Sequence, residues 1–318
     1  MEDKTFLDEN LEILDILLCD RTTKKNIVWA TNNYEKRGYK EQDNIKSNSL
    51  IGKRNPIKPR VEKSKAEQTK RIKAMAEVFT PSWVCNKQNN LIDDAWFGYE
   101  ESFNISSDDD KSWIPSNKVE FKNDKTWKDY VKDTRLEITC GEAPYLVSRY
   151  DTVTGNFIDL NSRIGLFDRK MRVINENASS DEEWIEQSVI ALKNIYGYEF
   201  QGDSLLIARE NLFFDYLEYY QNRFNHLPKL EFMKKVAEII SWNLFQMDGL
   251  KMVVPFSCHN VVPEFYQMSL FDDNPPKPEL CPGCKNNDVS KHNGLRCVIM
   301  DWDKNKKIKF ISLMKGNR

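Results

Sequence analysis

Between residues 135 and 250 the apolar pattern switches repeatedly between two periods, and this switching limits the fold more than any other feature. Residues 135–138 (R-L-E-I) and 195–200 (I-Y-G-Y-E-F) read as strands. Around them run helical stripes: Trp184, Ile185, Val189 and Leu192, then Leu205, Ala208, Leu212, Tyr216 and Tyr220, then a helix over 229–240. Strands alternating with helices need crossovers, so the strands lie parallel in an α/β sheet. Ser180 with Glu183 three residues on is a capping-box signature that opens the first of these helices. The organising stretch is 135–146 (R-L-E-I-T-C-G-E-A-P-Y-L). It starts as a buried strand carrying Glu137, turns at Cys140-Gly141 and is predicted to enter a helix. Ligands of α/β sheets sit in the crevice outside the carboxyl ends of the strands. A glycine there lets the backbone approach a ligand where a side chain would collide. An ordinary strand-to-helix turn is the alternative reading.

The flanks are more varied. Residues 4–18 carry Phe6, Leu7, Leu11, Leu14, Leu17 and Leu18 at helical spacing, predicting one amphipathic helix, and 26–30 predict a short strand. Thr80-Pro81 predicts a turn opening a helix; 98–125 is polar and reads as a loop; short helices are expected near 127–131 and 163–175. Asp248-Gly249 reads as a turn, and 298–302 with 308–313 as a hairpin. No run of 18 apolar residues occurs and the start, Met1-Glu2-Asp3-Lys4, is no signal peptide, so a soluble, cytoplasmic protein is expected. Net charge is −2 and excludes nothing by itself, but residues 52–73 hold nine Lys/Arg against Glu62 and Glu67, a local +7. With Pro56 and Pro59 this segment reads as a mobile basic arm leading into a helix near 64–76. Lys53, Arg54, Lys58, Arg60, Lys70 and Arg71 are its candidate contacts to the phosphates of double-stranded DNA; a solvated linker is the competing reading.

Seven cysteines, unevenly spaced, argue against a disulfide framework. Cys281, Cys284, His292 and Cys297, spaced C-x2-C-x7-H-x4-C, suit tetrahedral structural zinc; reduced, unbound cysteines are the alternative. Cys258-His259 is a weaker candidate pair, and His226 reads as a surface residue.

The order of several short motifs points further. E-V-F-T-P (77–81) comes first, then L-E-I-T-C-G-E-A-P-Y-L (136–146), then Y-G-Y-E (196–199) with D-S-L-L-I-A-R-E-N-L (203–212), then 243–250. Over about 76–250 this series resembles the S-adenosylmethionine-dependent DNA adenine-N6 methyltransferases of restriction–modification systems, with the F-x-T-P element N-terminal. The resemblance implies a Rossmann-like methyltransferase sheet. It implies that Phe79, Thr80 and Pro81 line the methionine pocket and that Glu137 lies near the methionine amino group. Cys140 and Gly141 would form the backbone turn beside the cofactor, with Tyr145 next to it. Glu199 would accept from the ribose hydroxyls and Asp248 from the adenine amino group. A strand-end surface acid and a turn aspartate are the respective alternatives for Glu199 and Asp248.

Two departures qualify these expectations. Ala143 stands where the second loop glycine would be, followed by Pro144. The Asn/Asp-Pro-Pro-Tyr/Phe turn, which localises the N6 lone pair and stacks on the flipped base, is not found: the only Asn-Pro-Pro is Asn274-Pro275-Pro276, followed by Lys277. The chain is therefore expected to be the modification subunit of a split or truncated enzyme, with a second polypeptide carrying the catalytic motif or target-recognition region. The alternative is a non-catalytic descendant that binds DNA or a partner. Three regions are expected: an N-terminal helix and basic arm (1–75), a methyltransferase-like domain (76–256) and a Cys/His-rich loop with a hairpin (257–318).

Overall fold

The computed structural model describes residues 3–52, 55–75, 80–107, 109, 111–122, 124–262 and 278–315. Lys53, Arg54, Phe79 and the segment 274–277 lie outside the described residues. Two helices open the chain, α1 (Asp3–Glu9) and α2 (Leu11–Leu18), where the apolar spacing predicts one. The break falls at Asn10, whose side-chain amide donates to the Phe6 carbonyl at 2.8 Å; such local bonds compete with helix propagation. The predicted strand over 26–30 is reduced to bridges between Cys19 and Asn26 and between Val28 and Asn44. The physical reason is Gln246, whose amide accepts from Val28 N–H and donates to Val28 C=O, both at 2.8 Å, replacing a ladder.

The basic segment leads into α3 (Lys65–Met75), and Pro81 caps α4 (Ser82–Phe97), whose first N–H is accepted by Asp151 at 2.7 Å. The stretch expected to be loop contains an antiparallel hairpin, β1 (Asn104–Ser106) and β2 (Trp113–Pro115). Helix α5 (Trp127–Lys132), with a Thr126–Asp129 capping box, precedes β3 (Arg135–Glu137). The helix expected after Gly141 does not form. The chain makes successive turns, because Thr139, Gly141 and Ala143 all have positive φ (47°, 55° and 62°). Helix starts again at α6 (Leu166–Asn177), where Asp168 accepts from the N–H of Gly165 at 3.0 Å.

From there the sequence expectations hold. Ser180 caps α7 (Asp181–Lys193) by accepting from Glu183 N–H, although the Glu183 carboxylate reaches back to Ser179 rather than to Ser180. Strand β4 (Ile195–Glu199), α8 (Gly202–Phe224), α9 (Leu230–Asn243) and β5 (Leu244–Gln246) follow. Beyond them lie α10 (Pro282–Asn286) and the predicted hairpin, β6 (Val298–Asp301) with β7 (Lys306–Lys309).

Strands β3, β4 and β5 form a parallel sheet in that order, with Glu137 opposite Gly197 and Glu199 opposite Gln246. The fold is thus mixed α/β with small sheets; among the described residues the parallel sheet has three strands rather than the full doubly wound set. One face, with Ile195 and Leu244, joins a continuous core that also contains Phe6, Leu14 and Leu18 of the N-terminal helices and most of α8. The other face, with Tyr196, Tyr198 and Phe245, packs on Ile299, Ile308 and Phe310 of the hairpin. Gly197 is needed where it stands: a Cβ there would lie 2.9 Å from Leu244 and 3.3 Å from the Cys140 thiol. Arg209 ties the core together, donating from within it to the carbonyls of Leu17, Cys19, Ser241 and Leu244, at the ends of α2 and α9. Burial holds its guanidinium down at about 10.

Candidate functional site: an acidic cleft and a Cys3His cluster

A cleft of about 690 Å³ opens at the carboxyl ends of β3 and β4. Thr80, Glu137, Cys140, Gly141, Tyr145 and Glu199, six of the candidate cofactor residues, line it together. Pro81 stands just outside, in a neighbouring groove with Trp83, Trp113 and Phe157. Among the described residues the lining contains three acids, Glu137, Glu142 and Glu199, and no Lys, Arg or His. Such a cleft offers hydrogen-bond acceptors to a ligand and, among the described residues, no lining cation to a phosphate.

The two strand-end acids are buried and wired to the turn. Glu137 accepts from Leu146 N–H at 3.2 Å, and burial raises its pKa well above the usual carboxylate value despite that bond; Glu199 raises it further. One oxygen of Glu199 accepts from Gly141 N–H at 2.9 Å, the other from Phe200 and Gln201 N–H at 2.8 and 3.0 Å. Burial still lifts Glu199 above the ordinary range. The turn is therefore built on its own acids. Ala143 takes the left-handed backbone that a glycine would take more easily, so the missing glycine costs conformational strain while the turn keeps its course. The Cys140 thiol is buried beneath the sheet and burial pushes its pKa up, so it offers the cleft no reactive sulfur. Gln88 and Asn89 of α4, Gln201 just before α8 and Ser204 in its first turn also line the cleft and were not singled out by the sequence; single polar residues carry no local signal of the space they face.

Asp248 departs from its expected place. It does not line this cleft. Its carboxylate accepts from the N–H groups of Leu250 and Lys251 and pairs with the Lys251 ammonium at 3.0 Å, which makes it the turn aspartate of the alternative reading. The basic segment also needs a correction. Arg71 is buried and pairs with Asp203 at 2.8 Å, beside Gln201 and Ser204, so it anchors α3 to the start of α8 rather than facing solvent. Lys58, Lys65, Lys70 and Lys73 are exposed and Arg60 is half-buried.

The metal-ligand set differs by one residue from the spacing rule. Cys258, Cys281, Cys284 and His292 bring their ligand atoms within 4.8 Å of one another. The three sulfurs lie 3.7, 3.7 and 3.6 Å from His292 Nδ1. With Zn–S and Zn–N bonds of about 2.3 and 2.05 Å, a tetrahedral site requires an S···N edge of about 3.6 Å, and the three sulfur–nitrogen edges match it. Cys297 is not part of it: it is buried against Phe245 and Ile299, its thiol 3.4 Å from the Gln246 carbonyl. The weaker pair supplied the fourth ligand through Cys258. Gly283 lets the turn close over the imidazole, since a Cβ would lie 2.5 Å from His292 Cγ. Burial opposes ionisation of Cys281, but the N–H groups of Asn293 and Cys284, then His292 and Gly283, overcome it and bring the thiol down to about 6. Asn293 N–H donates to that sulfur at 3.3 Å, an outer-shell bond that suits a thiolate ligand.

Fold and site together define a mixed α/β protein with an acidic cleft on a parallel sheet and a Cys3His centre able to hold a metal such as zinc. Compared with protein-family models, curated proteins and solved structures, the chain matches none. No helix among the described residues is long and apolar enough to cross a membrane.

Proposed function

We propose that this chain is the cofactor-binding part of a DNA adenine-N6 methyltransferase and takes S-adenosylmethionine in the acidic cleft. The observation that carries the reading is the convergence of Thr80, Glu137, Gly141, Tyr145 and Glu199 on one cleft whose lining, among the described residues, holds three acids and no basic side chain. S-adenosylmethionine carries a sulfonium and an ammonium and no phosphate; a cleft that offers it carboxyl oxygens, and that among the described residues is lined by no Lys, Arg or His to meet a phosphate, favours it over a nucleotide triphosphate. Zinc in the Cys258–Cys281–Cys284–His292 cluster would be structural, because four protein ligands leave no open position. The exposed lysines of α3 would meet the phosphates of double-stranded DNA.

Localising the adenine N6 lone pair requires an amide oxygen and a carbonyl beside a stacking aromatic ring. A second polypeptide would bring that turn. The second reading, a non-catalytic DNA- or partner-binding descendant, is favoured by Glu199, which already commits both oxygens to its own backbone. Parallel titrations with S-adenosylmethionine and ATP test the proposal. Binding of the first alone is expected; equal binding of both, or of ATP alone, would remove the electrostatic argument.

A further inference from the structure

Beside the acidic cleft lies the groove that holds Pro81, with a volume of about 360 Å³. Trp83, Trp113 and Phe157 line it, with Lys111 and Asn156. The rings come from separate stretches of chain, and each stretch is tied down. Trp83 stands in the first turn of α4, where Ser82 N–H donates to the Asp151 carboxylate at 2.7 Å. Trp113 opens β2, and its indole N–H donates to Ser162 C=O at 2.8 Å. Phe157 ends a tight turn. It bridges Tyr150, Asp151 accepts from Val153 and Thr154 N–H at 3.0 and 2.7 Å, and Gly155 supplies φ at 78°. The rings are thus held in place before any ligand arrives, which lowers the cost of stacking on them. Phe157 is 76% exposed, so its ring faces water and the fold makes little use of it.

Positive charge adjoins the groove on one side. The basic segment packs on the same turn, since a Cβ on Gly155 would lie 3.3 Å from Val61 Cβ. Lys58 and Lys65 are exposed, and by chain length they stand within about 11 and 14 Å of Val61. Lys111 follows the acids 108–110, so the net positive charge lies on the Val61 side. Asp151 is the lining acid among the described residues, and three N–H groups already meet its charge.

Aromatic rings beside lysines are the two halves of a site for unpaired nucleic acid. Rings stack on base faces, which a duplex hides, and ammonium groups meet phosphates. A neutral sugar would use the rings and leave the lysines idle. We infer that the Trp83–Trp113–Phe157 groove takes an unpaired nucleobase from a nucleic-acid strand whose backbone runs onto Lys58 and Lys65. Asn156 offers the base edge both a donor and an acceptor. The inference extends the DNA contacts proposed for α3 and needs nothing of the cofactor cleft.

The test is anisotropy titration of the full chain with labelled oligothymidylate of about 12 nucleotides, beside an abasic strand of equal length and a duplex. Oligothymidylate should bind with a Kd below about 0.1 mM at low salt, and the abasic strand at least about tenfold more weakly. Phe157→Ala should lose at least about fivefold for oligothymidylate and nothing for the duplex, while Phe157→Tyr keeps both. The ring is exposed, so neither change should move the unfolding midpoint. Changing Lys58 and Lys65 to glutamine should flatten the log–log salt slope by about 1.4. Phe157 does not line the acidic cleft, so titration of Phe157→Ala with S-adenosylmethionine reports on the cofactor reading separately. Equal binding of the abasic strand, or undiminished binding by Phe157→Ala, overturns the inference even if S-adenosylmethionine binds. Strand binding seen only after Phe79→Ala, or only after residues 263–277 are replaced by a Gly/Ser linker, would assign the groove to this chain's own segments outside the described residues and overturn it equally.

Discussion

Replacing Cys258 with alanine removes one of the three sulfurs that lie at a tetrahedral edge from His292 Nδ1. Structural zinc in small Cys/His sites contributes an apparent 10–16 kcal/mol, so one lost ligand of four costs about 3 kcal/mol, or about two orders of magnitude in Kd. Cys297→Ala should leave zinc affinity unchanged. It empties a small apolar site between Phe245 and Ile299 and should cost about 1 kcal/mol of folding stability instead. The assay is competition for zinc against a chromogenic chelator, on purified chain stripped of metal, with urea unfolding alongside. The account expects one zinc per chain, weakened by Cys258→Ala and kept by Cys297→Ala. The reverse pattern would refute the geometric argument and restore the ligand set implied by spacing. No zinc binding by the parent chain would refute a zinc centre altogether.

Other expectations concern stability and charge. Arg209→Met removes a buried cation that serves four carbonyls and leaves those acceptors unpaired, so unfolding free energy should fall by about 3–5 kcal/mol; a loss under about 1 kcal/mol in urea melts would contradict the anchoring role. Glu137 has a raised pKa when folded, so the folded chain keeps a proton that the unfolded chain releases. Its contribution to stability is full below the unfolded value near 4.5 and is lost as pH rises through the folded value. Glu137→Gln, which mimics the protonated form and can still accept from Leu146 N–H, should therefore stabilise the protein at pH 8 and give no gain at pH 4. Equal effects at both pH values would contradict this sign. Changing Lys65, Lys70 and Lys73 to glutamine should weaken duplex binding uniformly across sequences and flatten the log–log salt slope by about 3. An unchanged slope would remove the arm from the DNA account.

How far the sequence carried depended on the kind of interaction. The helices α7, α8 and α9 and strand β4 follow apolar periodicity, a local signal, and stand where the pattern puts them. The hidden features are long-range. Gln246 breaks the 26–30 strand from 218 residues away. The turns after β3 depend on Glu199 holding Gly141 across 58 residues. Arg71 looked like one more surface cation because the sequence does not show Asp203 waiting 132 residues on. Cys258 was the weaker metal candidate because it stands 23 residues before Cys281, and ligand spacing gives weight only to neighbours. Glu137 and Glu199 were legible as strand-end acids from the start, but their engagement by backbone N–H groups was not.

The central claim is that the acidic cleft holds S-adenosylmethionine, and calorimetric titration of the parent chain and of Gly141→Asn tests it most directly. Gly141 lines the cleft with φ at 55° and open space around the position of a Cβ. Asparagine tolerates that backbone, so the variant should fold while adding bulk to the cleft. The account predicts binding at one site per parent chain and at least about a tenfold loss in the variant, with unfolding midpoints alike. No heat of binding to a well-folded parent chain, or full binding by Gly141→Asn, would contradict it.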